Sequence, residues 1–291
     1  MTPQHALALI VMNAIWSAAP IAIKHALVEV PPMMAGALRF GLISLTLLPW
    51  TRIHPGRMKL IFAIAITAGC LQFALLFLAL GLTRAVAPLA IVFQLSVPFS
   101  TLLSIFFLHE EVRWRRWAGI LLAFLGSAII VFDPAVGHSL AAMGVAVLTA
   151  AVGAISIVLM RQLKDVGVFH LQAWIAHLSW PFLLCLSLLF EPGSVHAALN
   201  AHWAAWSGIL YVAFGSSLVA HAGMFWMLQR YEVSQVAPFL LLAPPFTVIL
   251  SVLILHDAVT LRLLLGAVVT LLGVGIINLR ELRLPQLRLW S

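Results

Sequence analysis

Ten long apolar runs follow one another along this chain of 291 residues, and they constrain its fold more than any other feature. A membrane-spanning helix needs about 20 mostly apolar residues. The breaks between the runs carry Pro, Gly and charged residues, and none is long enough to form a separate domain. The sequence therefore predicts an all-α polytopic membrane protein with ten transmembrane helices. The runs cover approximately residues 5–23, 32–50, 60–80, 86–108, 117–132, 139–160, 168–190, 204–228, 235–255 and 263–279.

The composition excludes several other classes of protein. Hydrophobic residues make up 63% of the chain and charged residues 9%, whereas a soluble domain has about 25% charged residues. The net charge of +7 does not indicate a nucleic-acid partner, because the basic residues lie in short breaks instead of forming one solvated face. Cys70 and Cys185 both lie inside apolar runs, so they predict neither a disulfide framework nor a CxxC metal site.

The distribution of Lys and Arg predicts the orientation of the chain. Cytoplasmic loops of membrane proteins carry an excess of these residues. If the amino terminus is cytoplasmic, twelve Lys and Arg residues fall in inner breaks and the tail, and three fall in outer breaks. We therefore expect both termini in the cytoplasm. The three outer residues are Lys24, Arg84 and Arg262, and the sixteenth, Arg39, lies inside the second run.

An internal repeat divides the chain into residues 1–134, with helices one to five, and residues 135–291, with helices six to ten. From Pro98 and Pro245 onward, the two copies align at a constant offset of 147 residues. Because five helices is an odd number, the second copy must cross the membrane in the opposite direction. Inverted repeats of this kind are typical of alternating-access transporters. The matched positions are Ala87-Pro88 with Ala237-Pro238, Pro98-Phe99 with Pro245-Phe246, Ser104 with Ser251, His109-Glu110 with His256-Asp257, Gly119 with Gly266 and Gly126 with Gly273.

Several segments resemble EamA-type permeases of the drug/metabolite transporter superfamily. The similar segments are Trp16 with Ala22-Ile23-Lys24, Ala37-Leu38-Arg39-Phe40, Gln72-Phe73, Thr83-Arg84-Ala85 and the paired Pro-Phe and His-acid motifs. The resemblance covers nearly the whole chain and is greatest to the amino-acid exporters of that superfamily. It implies ten helices around a central cavity and the export of small metabolites.

Charged residues inside a bilayer are candidate functional groups. Arg39 is predicted near mid-depth, where it serves either as the counter-charge for a substrate carboxylate or as a structural link between helices. All nine acidic residues fall in loops or at the ends of runs, and the glutamate on which related small multidrug exporters depend is absent from the first helix. This pattern disfavours coupled export of cationic drugs. It favours downhill or weakly coupled export of zwitterionic or apolar metabolites.

Other polar residues within the runs are candidates for the substrate cavity. His177 and His221 are either proton carriers or neutral hydrogen-bonding groups. Polar side chains at such positions bond across helices or line a cavity. The polar candidates are Asn13, Gln72, Gln94 and Ser217. The aromatic candidates for an apolar pocket, which are alternatively ordinary packing residues, are Trp16, Phe73, Phe77, Trp174 and Phe225.

Six prolines within the runs predict helix interruptions at which a gate bends, with static packing kinks as the alternative. They are Pro20, Pro88, Pro98, Pro238, Pro244 and Pro245. The segment His109-Glu110-Glu111-Val112-Arg113 lacks the second histidine of an HExxH zinc motif, and the sequence contains neither a GxSxG motif nor a P-loop.

These observations predict a monomeric exporter of small metabolites, most readily amino acids, that works without a cofactor, metal or nucleic-acid partner and contacts membrane lipid. The alternatives are an exporter of drugs or lipid precursors and a non-transporting membrane scaffold or receptor.

Overall fold

A computed structural model describes residues 2–108, 114–133, 140–163, 166–220 and 239–278, with Gly223, Trp226, Met227, Tyr231 and Val236. Helices are the only regular secondary structure among these residues. In the described part of the chain, eight helices are long and apolar enough to cross a membrane. Two shorter ones, α2 and α9, occupy the remaining predicted positions. The helices are α1 Pro3–Ala26, α2 Pro32–Thr46, α3 Met58–Leu82, α4 Ala87–Phe107, α5 Trp114–Val131, α6 Leu140–Arg161, α7 Val168–Phe190, α8 Trp203–Ala220, α9 Ala243–Leu255 and α10 Leu261–Asn278.

Most contacts between helices join the two halves of the chain. Helix α2 packs on α7, α4 on α9 and α5 on α10. Helix α1 packs on α8 and α9, and α6 packs in the same way on α3 and α4. Each helix has a counterpart in the other half, five helices away along the chain. If every helix in these pairs is replaced by its counterpart, the same set of pairs results. Such an exchange is what a pseudo-twofold axis between the halves produces.

Hydrogen bonds identify the two faces of the helical bundle. The segment after α1 contacts the start of α8 through Glu29 and His202, and the end of α7 contacts the start of α2 through Glu191 and Met33. We call this side, which lies opposite the amino terminus of α1, the distal face. On the other side, the proximal face, His170 at the start of α7 packs against His54 after α2. Because α2 begins at the distal face and its counterpart α7 begins at the proximal face, the halves are inverted.

Helices α5 and α10 join the halves through a seam of four glycines, Gly119 and Gly126 of α5 with Gly266 and Gly273 of α10. A Cβ atom added to Gly126 would lie 2.6 Å from the carbonyl oxygen of Gly266. One added to Gly266 would lie 2.6 Å from the carbonyl oxygen of Gly126. Small residues let membrane helices approach closely enough for backbone packing. We refer to these residues as the glycine seam.

Two helices contain π-helical segments, Ala65–Leu71 in α3 and Tyr211–Ala220 in α8. These helices occupy corresponding third positions in the two halves. Widened turns of this type occur frequently at functional sites. The segment in α8 carries Ser217, whose hydroxyl donates to the carbonyl of Val212 five residues earlier.

Candidate functional site

Arg39 lies at the centre of α2, about 10 Å from the distal end of that helix at 1.5 Å per residue. The residue is only 5% exposed. Its Nη2 and Nε atoms donate to the hydroxyl of Ser217 at 2.9 and 3.3 Å. No carboxylate in the described part of the chain pairs with this guanidinium. The structure therefore keeps a cation deep between α2 and α8 without an acidic counter-ion.

Aromatic rings surround the same guanidinium. Its central carbon lies 4.3 Å from the centroid of Phe73 in α3 and 5.1 Å from that of Phe40 in α2. The two rings meet edge to face, with centroids 4.9 Å apart. The negative face of an aromatic ring attracts a cation. The rings thus hold the charge in place but leave it able to attract an anion.

A small enclosed cavity adjoins this group. Its volume is about 10 Å³, and its lining includes Arg39, Ala35, Phe77, Ile209 and Val212. A single water molecule needs about that much space. We call Arg39, Phe40, Phe73, Phe77 and Ser217 the Arg39 cluster. Since the cavity is too small for an amino acid, a solute can reach the cluster only when the helices separate.

The cluster brings together four of the twelve cavity residues predicted from the sequence: Arg39, Phe73, Phe77 and Ser217. Gln72 lies instead between α3 and α6, where its side-chain amide nitrogen occupies the space next to Gly153. Asn13 is fully buried; its amide nitrogen donates to the carbonyl of Leu9 at 2.8 Å, and its oxygen has no hydrogen-bond partner among the described residues.

The structure places three more of the predicted residues outside the cluster. His177 binds the hydroxyls of Ser44 and Thr51 through its two ring nitrogens, at 2.6 and 2.5 Å. Trp174 donates its indole N–H to the carbonyl of Arg52 at 2.9 Å. His177 therefore joins α7 to the end of α2 and to the loop that follows it, and Trp174 joins α7 to that loop. Trp16 is exposed on α1 and does not line the small cavity.

The prolines differ in their positions within the helices. Pro20 follows a break at Ala18 in α1, and Pro98 follows the 3₁₀ turn Phe93–Leu95, which contains the half-buried Gln94. Pro88, Pro244 and Pro245 instead lie in the first turns of their helices. An N–H in the first turn lacks an intrahelical acceptor anyway, so these three prolines remove no hydrogen bond within their helices, and the role of the prolines in bending a gate stays a prediction. The interior proline missed by the sequence reasoning is Pro181 of α7.

His221, Phe225 and Pro238 lie outside the described residues. Among the residues that are described, no group of three or more His, Cys, Asp or Glu side chains is arranged to hold a metal ion.

The sequence reasoning also missed the role of the acidic residues. Glu29, Asp133, Glu191 and Asp257 all lie at the distal face, and each accepts a hydrogen bond from the opposite half of the chain. Their places at the ends of the apolar runs were visible in the sequence. Their partners, which are 127 to 173 residues away, carried no sequence signal.

A helical membrane protein with two inverted halves and, between them, a buried cation that no described carboxylate pairs has the architecture of a secondary transporter. The chain belongs to the EamA-like transporter family, which matches residues 4–132 and again residues 140–279. It is accordingly a multi-pass membrane transporter of small molecules.

Named relatives extend over nearly the whole chain. The chain is 26% identical to a probable amino-acid metabolite efflux pump of Escherichia coli K12, with 93% of each chain aligned. A protein of Salmonella typhimurium with the same name is 27% identical, again over 93% of both chains. An uncharacterized transporter of Bacillus subtilis is 23% identical over 92% of this chain and 94% of the relative.

A solved crystal structure has the same fold. It covers 97% of this chain, and this chain covers 98% of it, with a TM-score of 0.64. The two sequences are 18% identical, so this similarity concerns the fold alone.

Proposed function

We propose that this protein exports small metabolites bearing a carboxylate, amino acids above all, by alternating access, and that Arg39 is the counter-charge for that carboxylate. The observation that carries the proposal is the buried guanidinium, which has no acidic partner among the described residues. A charge in a bilayer is costly and persists where function requires it. The names of the Escherichia coli and Salmonella relatives support the choice of amino acids.

The chemistry of the cluster suits a zwitterionic substrate with an apolar side chain. A planar guanidinium binds a carboxylate through two parallel hydrogen bonds. Ser217 engages Nη2 and Nε, so Nη1 is the nitrogen that makes no hydrogen bond within the described part of the chain. Phe73 and Phe77 offer apolar surface next to it. Separation of α2 from α8 would widen the small cavity into a site that both halves line.

We propose facilitative or weakly coupled transport. The four acidic residues that the structure describes all lie at the distal face, away from the Arg39 cluster. His177 is held between two hydroxyls near the proximal face, as suits a neutral imidazole. Flux from liposomes should therefore persist without an imposed pH gradient, and flux that required the gradient would contradict this part.

We propose a monomer in a bacterial inner membrane, with both termini and the proximal face in the cytoplasm. The excess of Lys and Arg in the breaks assigned to the inside supports this orientation. The two halves already form the cluster within one chain, so a second copy is not needed. A cysteine at the carboxyl terminus that a membrane-impermeant reagent labels in intact cells would contradict the orientation.

The experiment that tests the function measures efflux of radiolabelled amino acids from proteoliposomes. Arg39→Gln should raise the KM for a free amino acid about 10- to 100-fold, because charge-assisted hydrogen bonds contribute about 1.5–3 kcal/mol. The same variant should treat the corresponding amino-acid amide, which lacks the carboxylate, much as the wild type does.

Two control variants separate charge from packing. Arg52→Gln removes an exposed positive charge near the proximal face and should leave the KM unchanged. Ser217→Ala removes the bond between α2 and α8 but keeps the guanidinium, so it should affect transport less than Arg39→Gln. An unchanged KM in folded Arg39→Gln protein would overturn the counter-charge role. Dye efflux without amino-acid efflux would favour a drug exporter, and no flux of any solute would favour a scaffold.

A further inference from the structure

The distal face is held together by four carboxylates, each bonded across the boundary between the halves. Asp257, from the α9–α10 segment, accepts from the backbone N–H groups of Val86 and Ala87 at 2.7 and 2.9 Å. Glu191, after α7, accepts from those of Met33 and Met34 at 2.8 and 3.1 Å. Each carboxylate of the second half thus caps the start of a helix in the first half.

The first half returns the same kind of contact to the second. Glu29 accepts from the backbone N–H of His202, at the start of α8, at 2.7 Å and contacts the ring of that histidine at 2.9 Å. Asp133, after α5, accepts from the hydroxyl of Thr260 just before α10. Among the described residues, every acidic side chain is used in this way.

The physical chemistry of helix ends explains why carboxylates suit these positions. The first N–H groups of a helix lack intrahelical acceptors, and the helix dipole makes that end partially positive. A carboxylate there satisfies the donors with charge-assisted bonds. In water, the same donors and acceptors are readily solvated, so such contacts can break and re-form when a face opens.

Asp257 is the least exposed of the carboxylates that accept hydrogen bonds from backbone N–H groups at helix starts. It is 8% exposed, and the ammonium of Lys24 lies near enough to attract it electrostatically. Lys24 in turn donates to the carbonyls of Leu80 and Thr83 at the end of α3. The ends of α1, α3 and α4 therefore meet the α9–α10 segment at one point. Ala26, Val30 and Val86 at these helix ends are almost completely buried in one apolar cluster, so the helices pack tightly at this point.

We infer that Glu29, Asp133, Glu191 and Asp257 form a distal latch, a set of carboxylate bonds between the halves that must break before a substrate can leave through this face. The inference rests on the chain being a transporter, not on the identity of its substrate. Because every bond joins opposite halves, rocking of one half against the other strains all four together. Loss of one carboxylate should shift the protein toward a conformation open at the distal face.

The experiment measures access to a cysteine placed beneath the latch. Ala35→Cys, in a background in which Cys70 and Cys185 are replaced by alanine, introduces a thiol into the lining of the small cavity. Its reaction with a membrane-impermeant maleimide is followed from the distal side in sealed vesicles. Asp257→Ala should raise the labelling rate about tenfold or more, because two charge-assisted bonds are lost.

The matched control is Glu110→Ala, at the position that corresponds to Asp257 in the internal repeat but on the opposite predicted face. This variant should not raise distal labelling. Unchanged labelling in folded Asp257→Ala protein would overturn the latch. If Asp257→Ala does not fold, Glu191→Ala provides the same comparison. Raised labelling without amino-acid flux would support the latch and reject the proposed substrate. Amino-acid flux with unchanged labelling would support the proposed substrate and overturn the latch.

A cross-link provides an independent measurement in the opposite direction. Glu29 and His202 are in direct contact near the protein surface, so cysteines at both positions can be joined by a short, cleavable bifunctional maleimide. Joining them should reduce the efflux rate at least about tenfold, and cleavage of the cross-link should restore that rate. Full efflux through the cross-linked protein would show that this face does not need to open.

Discussion

The glycine seam and the distal latch both join the two halves, but they use opposite chemistry. In the seam, Gly126 and Gly266 bring two backbones within van der Waals contact, with no space for a Cβ atom. In the latch, the carboxylates of Glu191 and Asp257, which follow α7 and α9, bind backbone N–H groups at helix starts in the other half. Close backbone packing inside a membrane has no substitute when it is lost, because lipid cannot fill the gap as well. Water can replace the partners of a carboxylate at the surface. This difference indicates that the glycine seam is a permanent contact and that the distal latch is a reversible one.

We expect the largest effect from a substitution that breaks the permanent contact, the glycine seam. Gly126→Leu places a side chain where the backbone nitrogen of Thr270 would lie 2.4 Å from its Cβ. Neither backbone can move away without separating α5 from α10. We expect loss of folded, monodisperse protein in size-exclusion chromatography.

The control for this change is Gly144→Leu in α6, where a new Cβ would meet no atom within 4 Å. That variant should fold normally, since Leu also favours helix over Gly. Transport at the wild-type rate by Gly126→Leu protein would show that the seam is not a required contact.

An intermediate effect should come from weakening the latch without disturbing the seam. Glu191→Gln replaces one accepting oxygen with an N–H₂ group that faces a backbone donor at Met33 or Met34. We expect the protein to fold, with a loss of about 1 kcal/mol in the closed state and roughly fivefold faster labelling of Ala35→Cys.

Ser187→Ala is the matched control, because it removes only the bond from the Ser187 hydroxyl to Glu191 within the end of α7. It should change the labelling rate much less. Equal effects of the two variants would mean that the bonds to α2 do not hold the face closed.

The smallest expected effect is a pH dependence at Glu29. The backbone N–H of His202, then the ring contact and charge of the same residue, hold the pKa of this carboxyl below its ordinary value. A carboxyl with a lowered pKa stabilises the bonded state above its ordinary pKa of about 4.3, and the contribution disappears as the pH falls through the lowered value.

Relative to labelling in the Glu29→Gln background, labelling of Ala35→Cys in the wild-type background should therefore rise as the external pH falls below about 5. The readout is the difference between the wild-type background and Glu29→Gln, which should show no such rise. An equal rise in the wild-type and Glu29→Gln backgrounds would contradict this assignment.

The sequence predicted part of the candidate site. Arg39, Phe73, Phe77 and Ser217 were all recognisable as unusual or aromatic residues in apolar runs, and the structure brings them together. Trp174 carried the same kind of signal but binds the carbonyl of Arg52. Periodicity within a helix cannot distinguish these outcomes, because it does not specify which helix packs against which face.

The amino-acid sequence by itself determined that this chain crosses a membrane as helices and that its two halves are related. Runs of apolar residues and the repeated positions from Pro98 and Pro245 are local properties, and the absence of water in a bilayer leaves helices as the stable form for such runs. The tertiary structure decided which residues meet. Asp257 reaches Val86 across 171 residues, and Arg39 reaches Ser217 across 178, only because particular helices pack side by side. Helix packing depends on the shapes of whole surfaces, and no short segment of the chain encodes it.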